Sequence, residues 1–195
     1  SLHRAVTGAM RLFAVLGGIV LAVAILIICV SILGRTLNGV LHHDLVQSVA
    51  PGLANWLLGL GIGAIRGDFE LVEAAMAFCI FAFLPYCQVT SGHAAVELFT
   101  SGLGPRAHRV LSLAIEVLFA VVLVVIALQL REGMEARIRS GQTTFLLQFP
   151  IWWSYAASLV AATVAALAGV YMAGVRLAEA AAGRPLVDAG EGAEH

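Results

Sequence analysis

The sequence predicts an all-α integral membrane protein with four transmembrane helices and an interfacial amphipathic arm helix between helices 1 and 2. The prediction comes from four apolar stretches, at residues 12–33, 71–90, 110–130 and 151–175. A helix rises about 1.5 Å per residue and a hydrocarbon core is about 30 Å thick, so about 20 apolar residues can cross it. The composition agrees, because 61% of residues are hydrophobic and only 12% are charged. We expect residues 1–195 to form a single membrane domain.

The first span follows two arginines, Arg4 and Arg11, and its start resembles a secretory signal peptide. The apolar run continues from residue 12 to 33, however, whereas the apolar region of a cleaved signal peptide has about 7 to 15 residues. The sequence therefore predicts that this segment remains as the first transmembrane helix.

The connection between the first two spans holds a shorter apolar segment, at about residues 51–65, that is too short to cross a bilayer. Pro51 suits the first turn of a helix. Apolar side chains then recur at helical spacing, at Leu53, Trp56, Leu57 and Leu60. We expect an arm helix that lies flat in the membrane interface, with Trp56 as an interfacial anchor.

The fourth span carries small residues at every fourth position, on one helix face. Small side chains allow helix backbones to approach closely in lipid, so this face is predicted to be a helix packing interface. The stripe consists of Ala157, Ala161, Ala165, Gly169 and Ala173. Three aromatic residues at the start of the same span, Trp152, Trp153 and Tyr155, are expected to lie at the depth of the lipid headgroups.

Three charged residues in or beside the spans are candidates for structural ion pairing. Because the chain reverses between spans, Arg35 after the first and Glu73 in the second lie on the same side of the membrane, and we expect them to pair. Glu116 lies inside the third span, within reach of basic residues on the opposite side. An acid in a membrane also suggests a proton relay, but no second titratable residue lies deep in any span.

Several function classes are disfavoured by the residues. All eleven basic residues are arginines without any run, so nucleic acid is not an expected partner. The three cysteines form no C-x-x-C pair, and no histidines lie inside the spans to bind haem. We expect no cofactor, metal site or catalytic residue, and no enzyme activity. The alternative to a subunit role is a small stand-alone carrier, with Glu116 or Glu73 as the proton-coupling acid.

Several different short motifs occur in a characteristic order along nearly the whole chain. They are the segment from Cys29 to Arg35, the acidic start of the second span from Glu70 to Glu73, His93 with Glu97, the segment from Leu103 to Arg106, and Thr143 and Thr144 followed by Phe149 to Trp152, which include Pro150. In this order they resemble the DctQ family, the small membrane subunit of tripartite ATP-independent periplasmic (TRAP) transporters.

The resemblance implies a scaffold subunit of the bacterial inner membrane, with four helices and both termini in the cytoplasm. It implies two partners, a large transmembrane subunit that carries the substrate and sodium sites and a periplasmic substrate-binding protein. Transport would be sodium-coupled uptake of organic acids. The connection from Arg35 to Glu73 is longer than the family pattern suggests, and the fourth span lacks the expected central proline.

Overall fold

The computed structural model describes residues 2–61, 63–90 and 105–182, which are mostly helical. Their helices are α1 (Leu2–Leu41), α2 (Asp44–Val49), α3 (Pro51–Gly59), α4 (Asp68–Val89), α5 (Pro105–Ser140) and α6 (Trp152–Ala182). Four of them, α1, α4, α5 and α6, are long and apolar enough to span a membrane. The predicted all-α membrane fold is therefore confirmed, and the protein is a multi-pass membrane protein.

The membrane helices extend beyond the apolar runs that predicted them. The helix α1 has 40 residues, and α5 has 36, so both are much longer than a bilayer is thick. Past the apolar run, α5 continues as a charged segment in which Glu135 pairs with Arg131 and Arg139, each four residues away. Such pairs support a helix in water, so the end of α5 projects beyond the hydrocarbon core.

The four membrane helices pack as a row rather than as a closed square. The helix α1 packs against α4, α4 packs against α6, and α6 packs against α5. Neighbouring helices of the row can approach closely because small residues lie at the crossings. A Cβ atom on Gly17 of α1 would lie 2.8 Å from the Ala82 Cβ of α4, so only glycine allows this contact.

The central position of α6 explains its small residues. Of its most apolar window, 50% is buried inside the chain, compared with 11% for α1 and 17% for α5. In the predicted stripe, Ala161, Ala165, Gly169 and Ala173 are buried, whereas Ala157 is exposed. Ala165 lies in a buried cluster of Leu123 and Ala166, and Leu84 packs against that cluster. The stripe thus contacts helices of the same chain.

The arm between α1 and α4 is shorter than predicted. The helix α3 ends at Gly59, before the end of the apolar segment at residue 65. The physical reason lies in Gly61, whose φ of +79° is left-handed and incompatible with a continuing helix. Ala54 is buried on one face of α3, whereas Leu53, Trp56 and Leu60 are exposed.

We distinguish the two ends of the row by the segments that meet there. The hairpin end is named for the short hairpin at residues 141–151, which leads into α6. It also contains the end of α1, the arm, the start of α4 and the end of α5. The terminal end contains the start of α1 and the end of α6. Both Glu70 and Glu73 lie at the hairpin end.

Candidate functional site

The turn at residues 141–151 is a short hairpin that folds over the start of α4. Its two sides are joined by an isolated antiparallel bridge between Thr143 and Pro150 and by the hydrogen bond from the Thr144 N–H to the Phe149 carbonyl, 2.9 Å long. Phe145, at the tip, is 88% exposed. We call residues 141–151 the hairpin.

Glu70 of α4 fastens this hairpin. Its Oε1 accepts the backbone N–H of Leu146 at 2.7 Å, and its Oε2 accepts the backbone N–H of Leu147 at 2.9 Å. Two adjacent N–H groups that point at one carboxylate form charge-assisted hydrogen bonds, which are stronger than bonds between neutral groups. The start of α4 and the hairpin are thereby held together across 76 residues of chain.

Gly67, directly before α4, makes room for the same contact. Its φ is +78°, and a Cβ there would lie 2.3 Å from the Leu147 Cγ. Both the conformation and the space therefore require glycine. Sequence reasoning missed Glu70 and Gly67 as a fastening, although the acidic start of the second span was recognised as a motif.

Asp68 forms a second polar cluster beside this fastening, against the end of α1. It is buried, and its Oδ2 accepts a hydrogen bond from the Ser31 hydroxyl at 2.5 Å. The Ser31 oxygen in turn accepts the N–H of Ile65 at 3.1 Å. The Arg35 guanidinium lies 3.5 Å from the same Asp68 oxygen and 5.9 Å from the centre of the Phe69 ring. These contacts tie α4 and the segment before it to α1.

The predicted partner of Arg35 differs from the observed one. The structure brings Asp68 to Arg35 and does not bring Glu73 there. Glu73 lies further along α4 and lines a cavity on the side of α6 instead. An acid at the start of α4 does pair with Arg35, but the buried Ser31 hydroxyl and the path of residues 63–67 select Asp68.

The cavity lies between α4, α5, α6 and the hairpin and has a volume of about 330 Å³. Two carboxylates, Glu70 and Glu73, stand on one side. The remaining lining is mostly small or apolar, with a few hydroxyl groups: Ala74, Ala77, Leu130, Thr144, Phe149, Ile151, Ser154, Tyr155 and Ser158. The cavity is therefore apolar inside and acidic at the hairpin end.

The predicted interfacial anchors gather around this end. Tyr155 lines the cavity, and the Arg137 guanidinium lies 5.9 Å from the centre of its ring. Trp153 is exposed, and its ring meets that of Trp152 edge to face, with the ring centres 6.1 Å apart. Trp56 of the arm is exposed as well.

Glu116 of α5 lies elsewhere, inside the bundle. It is 5% exposed and accepts a hydrogen bond from the side-chain amide of Gln88 on α4. The contact joins α4 and α5, which are not neighbours in the row. Gln88 and Glu116 therefore form a structural polar pair. Sequence reasoning considered basic partners for Glu116 and missed Gln88, whose neutral side chain gave no charge signal.

At the terminal end, Arg176 and Glu179 of α6 form an ion pair of 2.8 Å that is mostly buried. Among the family-motif residues, Pro150 closes the hairpin and its carbonyl accepts the N–H of Trp153. His93 and Glu97 lie outside the described residues. Within the described ranges, no three metal-binding side chains cluster. The polar groups seen here fasten helices and loops to one another.

The comparison with protein families places the chain beside a family of transporter components. The model described as "Tripartite ATP-independent periplasmic transporters, DctQ component" matches residues 24–179. The match extends from the middle of α1 to near the end of α6, and so includes α4, α5, the hairpin and large parts of α1 and α6. No curated protein and no solved structure gives a significant match.

Proposed function

Because the chain belongs to the DctQ family, the small membrane component of TRAP transporters, we propose that it is the scaffold subunit of a sodium-coupled secondary transporter that takes up organic acids. The family match over residues 24–179 is the observation on which this proposal depends. The family consists of transporter components and not of enzymes. Sodium coupling and the class of substrate are part of the proposal, by analogy with the family.

The arrangement of the helices supports a scaffold role. A row of four helices has two broad faces, and much of its apolar surface is left for lipid or for another protein. Exposed side chains recur every seven residues along α1, at Leu12, Ile19, Leu26 and Leu33. Such a surface suits a subunit that holds a larger membrane protein at a fixed depth.

The polar contacts support the same role. The deepest described acid, Glu116, is held by Gln88, and Asp68 and Glu70 are held by Ser31, Arg35 and backbone N–H groups. Each of these contacts joins two separate segments of the chain. A proton carrier needs an acid that exchanges with water on both sides, whereas these acids act as fixed connections.

We propose two partners, a large transmembrane subunit and a periplasmic substrate-binding protein, in the inner membrane of a bacterium. In this arrangement both termini are cytoplasmic, so the hairpin end faces the periplasm. The exposed Phe145 and the charged extension of α5 then stand on the side where a periplasmic protein arrives. The hairpin end is our candidate for the docking surface.

Co-expression tests this proposal. The tagged chain is expressed with its candidate large transmembrane subunit, and the two are purified in mild detergent. We expect a complex of fixed stoichiometry that survives gel filtration. An unrelated polytopic membrane protein, expressed at the same level, serves as the control. If the chain elutes alone in both cases, the scaffold proposal is wrong.

A further inference from the structure

One face of α4 is exposed along most of its length in the part of the chain that the structure describes. Its exposed side chains recur at intervals of four and three residues, which keeps them on one side of the helix. They are Phe69, Glu73, Met76, Ile80 and Phe83, and we call them the α4 stripe. Four of these five side chains are large and apolar, and the fifth is a carboxylate. A face that contacts only lipid is expected to lack such a charge.

The carboxylate of Glu73 has no partner among the described residues. Glu70, one turn earlier in α4, accepts two backbone N–H groups of the hairpin. Asp68 is held by Ser31 and Arg35. Glu73 forms no hydrogen bond and no ion pair with any described part of the chain. It is therefore the acid of α4 that these contacts leave unsatisfied.

The depth of Glu73 in the bundle makes a missing partner costly. Glu73 lines the same cavity as Leu130, the last residue of the apolar run of α5, so its carboxylate lies at the edge of the hydrocarbon core. Met76 and Ile80 continue the α4 stripe into the core. An ionised group at this depth is expected to pair with an opposite charge. The α4 stripe therefore indicates a partner that brings a positive charge to Glu73.

The cavity beside Glu73 has room for a side chain that carries such a charge. Its volume is about 330 Å³, and Ala74, Ala77 and Leu130 provide apolar walls. Lysine and arginine bury their apolar stems along surfaces of this kind and keep the charge at the tip. A long basic side chain can therefore lie along these walls and place its charge at Glu73.

The charges at the cavity disfavour two other occupants. Its described lining includes two acids and no basic side chain, so the phosphate of a phospholipid headgroup has no counter-charge there. A second copy of this chain, related by a two-fold axis along the membrane normal, would place its own Glu73 at the same depth. The two carboxylates would then repel each other. Charge complementarity therefore favours a different membrane protein.

We propose that the α4 stripe and the cavity beside it form the contact surface for the large transmembrane subunit, with Glu73 paired to an arginine or lysine of that subunit. This inference rests on the scaffold function proposed above and adds the face and the residue that make the contact. Met76 and Ile80 pack against a helix of the large subunit. Because a charge pair on an apolar surface forms at one register only, Glu73 also fixes the depth of the large subunit in the bilayer.

Site-specific photocrosslinking in the assembled complex tests the surface. The chain is expressed with its candidate large transmembrane subunit, and benzoylphenylalanine replaces Met76 or Ile80 of the α4 stripe. We expect both positions to crosslink to the large subunit, in a segment that contains an arginine or lysine. The matched controls carry benzoylphenylalanine at Val160 or Leu167, which are exposed residues of α6 that do not line the cavity. These controls should give no crosslink to the large subunit.

Variants of Glu73 separate a contact with the partner from a role in folding. Since Glu73 has no partner in the described chain, E73Q should leave the unfolding midpoint of the isolated chain unchanged. It should weaken binding of the large subunit at least about tenfold, because the basic side chain of that subunit is then buried without its counter-charge. E73K brings like charges together and should weaken binding further.

The matched controls for these variants are E132Q and E132K. They change an exposed acid of α5 that does not line the cavity, and both should bind the large subunit as the unmodified chain does. Affinity is measured by titration of the purified large subunit in detergent. The crosslinks from Met76 and Ile80 test the same surface without a change at Glu73, even where E73K fails to fold.

The outcomes distinguish this proposal from the scaffold proposal. A stable complex that crosslinks from Val160 and Leu167, and not from Met76 and Ile80, overturns the α4 stripe as the contact surface and leaves the scaffold role intact. Crosslinks from the stripe to lipid alone, or to a second copy of this chain, have the same meaning. Unchanged affinity in both E73Q and E73K overturns the ion pair. If the unmodified chain forms no complex, the scaffold proposal fails, and this inference fails with it.

Discussion

Glu70 and Leu147 are joined by a hydrogen bond from the Leu147 backbone N–H to the Glu70 carboxylate, 2.9 Å long, although 77 residues separate them. The neighbouring N–H of Leu146 binds the other carboxylate oxygen. The hairpin before α6 is therefore fixed to the first turn of α4. The helices α4 and α6 also pack together within the membrane. The hydrogen bonds of Glu70 therefore extend the contact between these two helices to the hairpin end.

Substitution of Gly67 tests the contact between the start of α4 and the hairpin. G67A adds a Cβ in a left-handed conformation and against the Leu147 side chain, and we expect a loss of about 1–3 kcal/mol in stability. The matched control is G61A, because Gly61 has φ +79° but open space around it. Thermal unfolding in detergent should show a larger decrease for G67A than for G61A. Equal decreases would mean that Leu147 does not pack there.

Double-mutant cycles test which acid pairs with Arg35. We expect R35A and D68N to be coupled, so that the double variant loses less stability than the sum of the single ones, because their side chains are in contact. R35A and E73Q should be additive within about 0.5 kcal/mol. The measurement is the unfolding midpoint in detergent. Coupling of Arg35 to Glu73 without coupling to Asp68 would contradict the observed pair.

The small-residue stripe of α6 offers a matched pair of substitutions. A165L places a large side chain where Ala165 is fully buried against α5 and α4, and overpacking of this kind costs about 1–3 kcal/mol. A157L makes the same change at the exposed position of the same stripe and should cost within about 0.5 kcal/mol. Thermal unfolding of the purified chain checks both. An unchanged midpoint for A165L would rule out the buried contact.

Variants of Glu116 distinguish a structural role of this acid from a role in proton coupling. E116Q retains an oxygen that can accept the hydrogen bond from Gln88, so transport by the assembled complex should remain largely intact. E116A leaves a buried amide with one partner fewer and should cost about 1–3 kcal/mol in stability. Uptake and unfolding are measured on both. Complete loss of uptake in E116Q, with normal assembly, would support the proton relay instead.

The membrane helices could be predicted from sequence because a bilayer selects for length and apolarity, which are local properties. The end of α3 could not be placed with the same precision. Leu60 continues the apolar pattern of the arm, whereas the helix stops before the left-handed Gly61, and the backbone of Gly63 then packs against Gly34 of α1. The apolar pattern and the backbone conformation are set by different constraints at that point.

The polar contacts were harder to predict because most of them join residues far apart in sequence. The start of α4 offers Arg35 three acids, and the choice of Asp68 depends on Ser31, which is buried within the fold. Gln88 carries no charge and gave no signal as the partner of Glu116. Ser158 is one of two serines in α6, and only the folded structure shows that its hydroxyl is buried.

Reconstituted transport tests the central proposal most directly. Proteoliposomes that contain this chain alone, the large subunit alone or both are supplied with a periplasmic binding protein, radiolabelled dicarboxylates or sialic acid, and an imposed sodium gradient. We predict uptake only where this chain and the large subunit are both present. Uptake by liposomes that contain this chain alone, driven by sodium or by protons, would contradict the scaffold role.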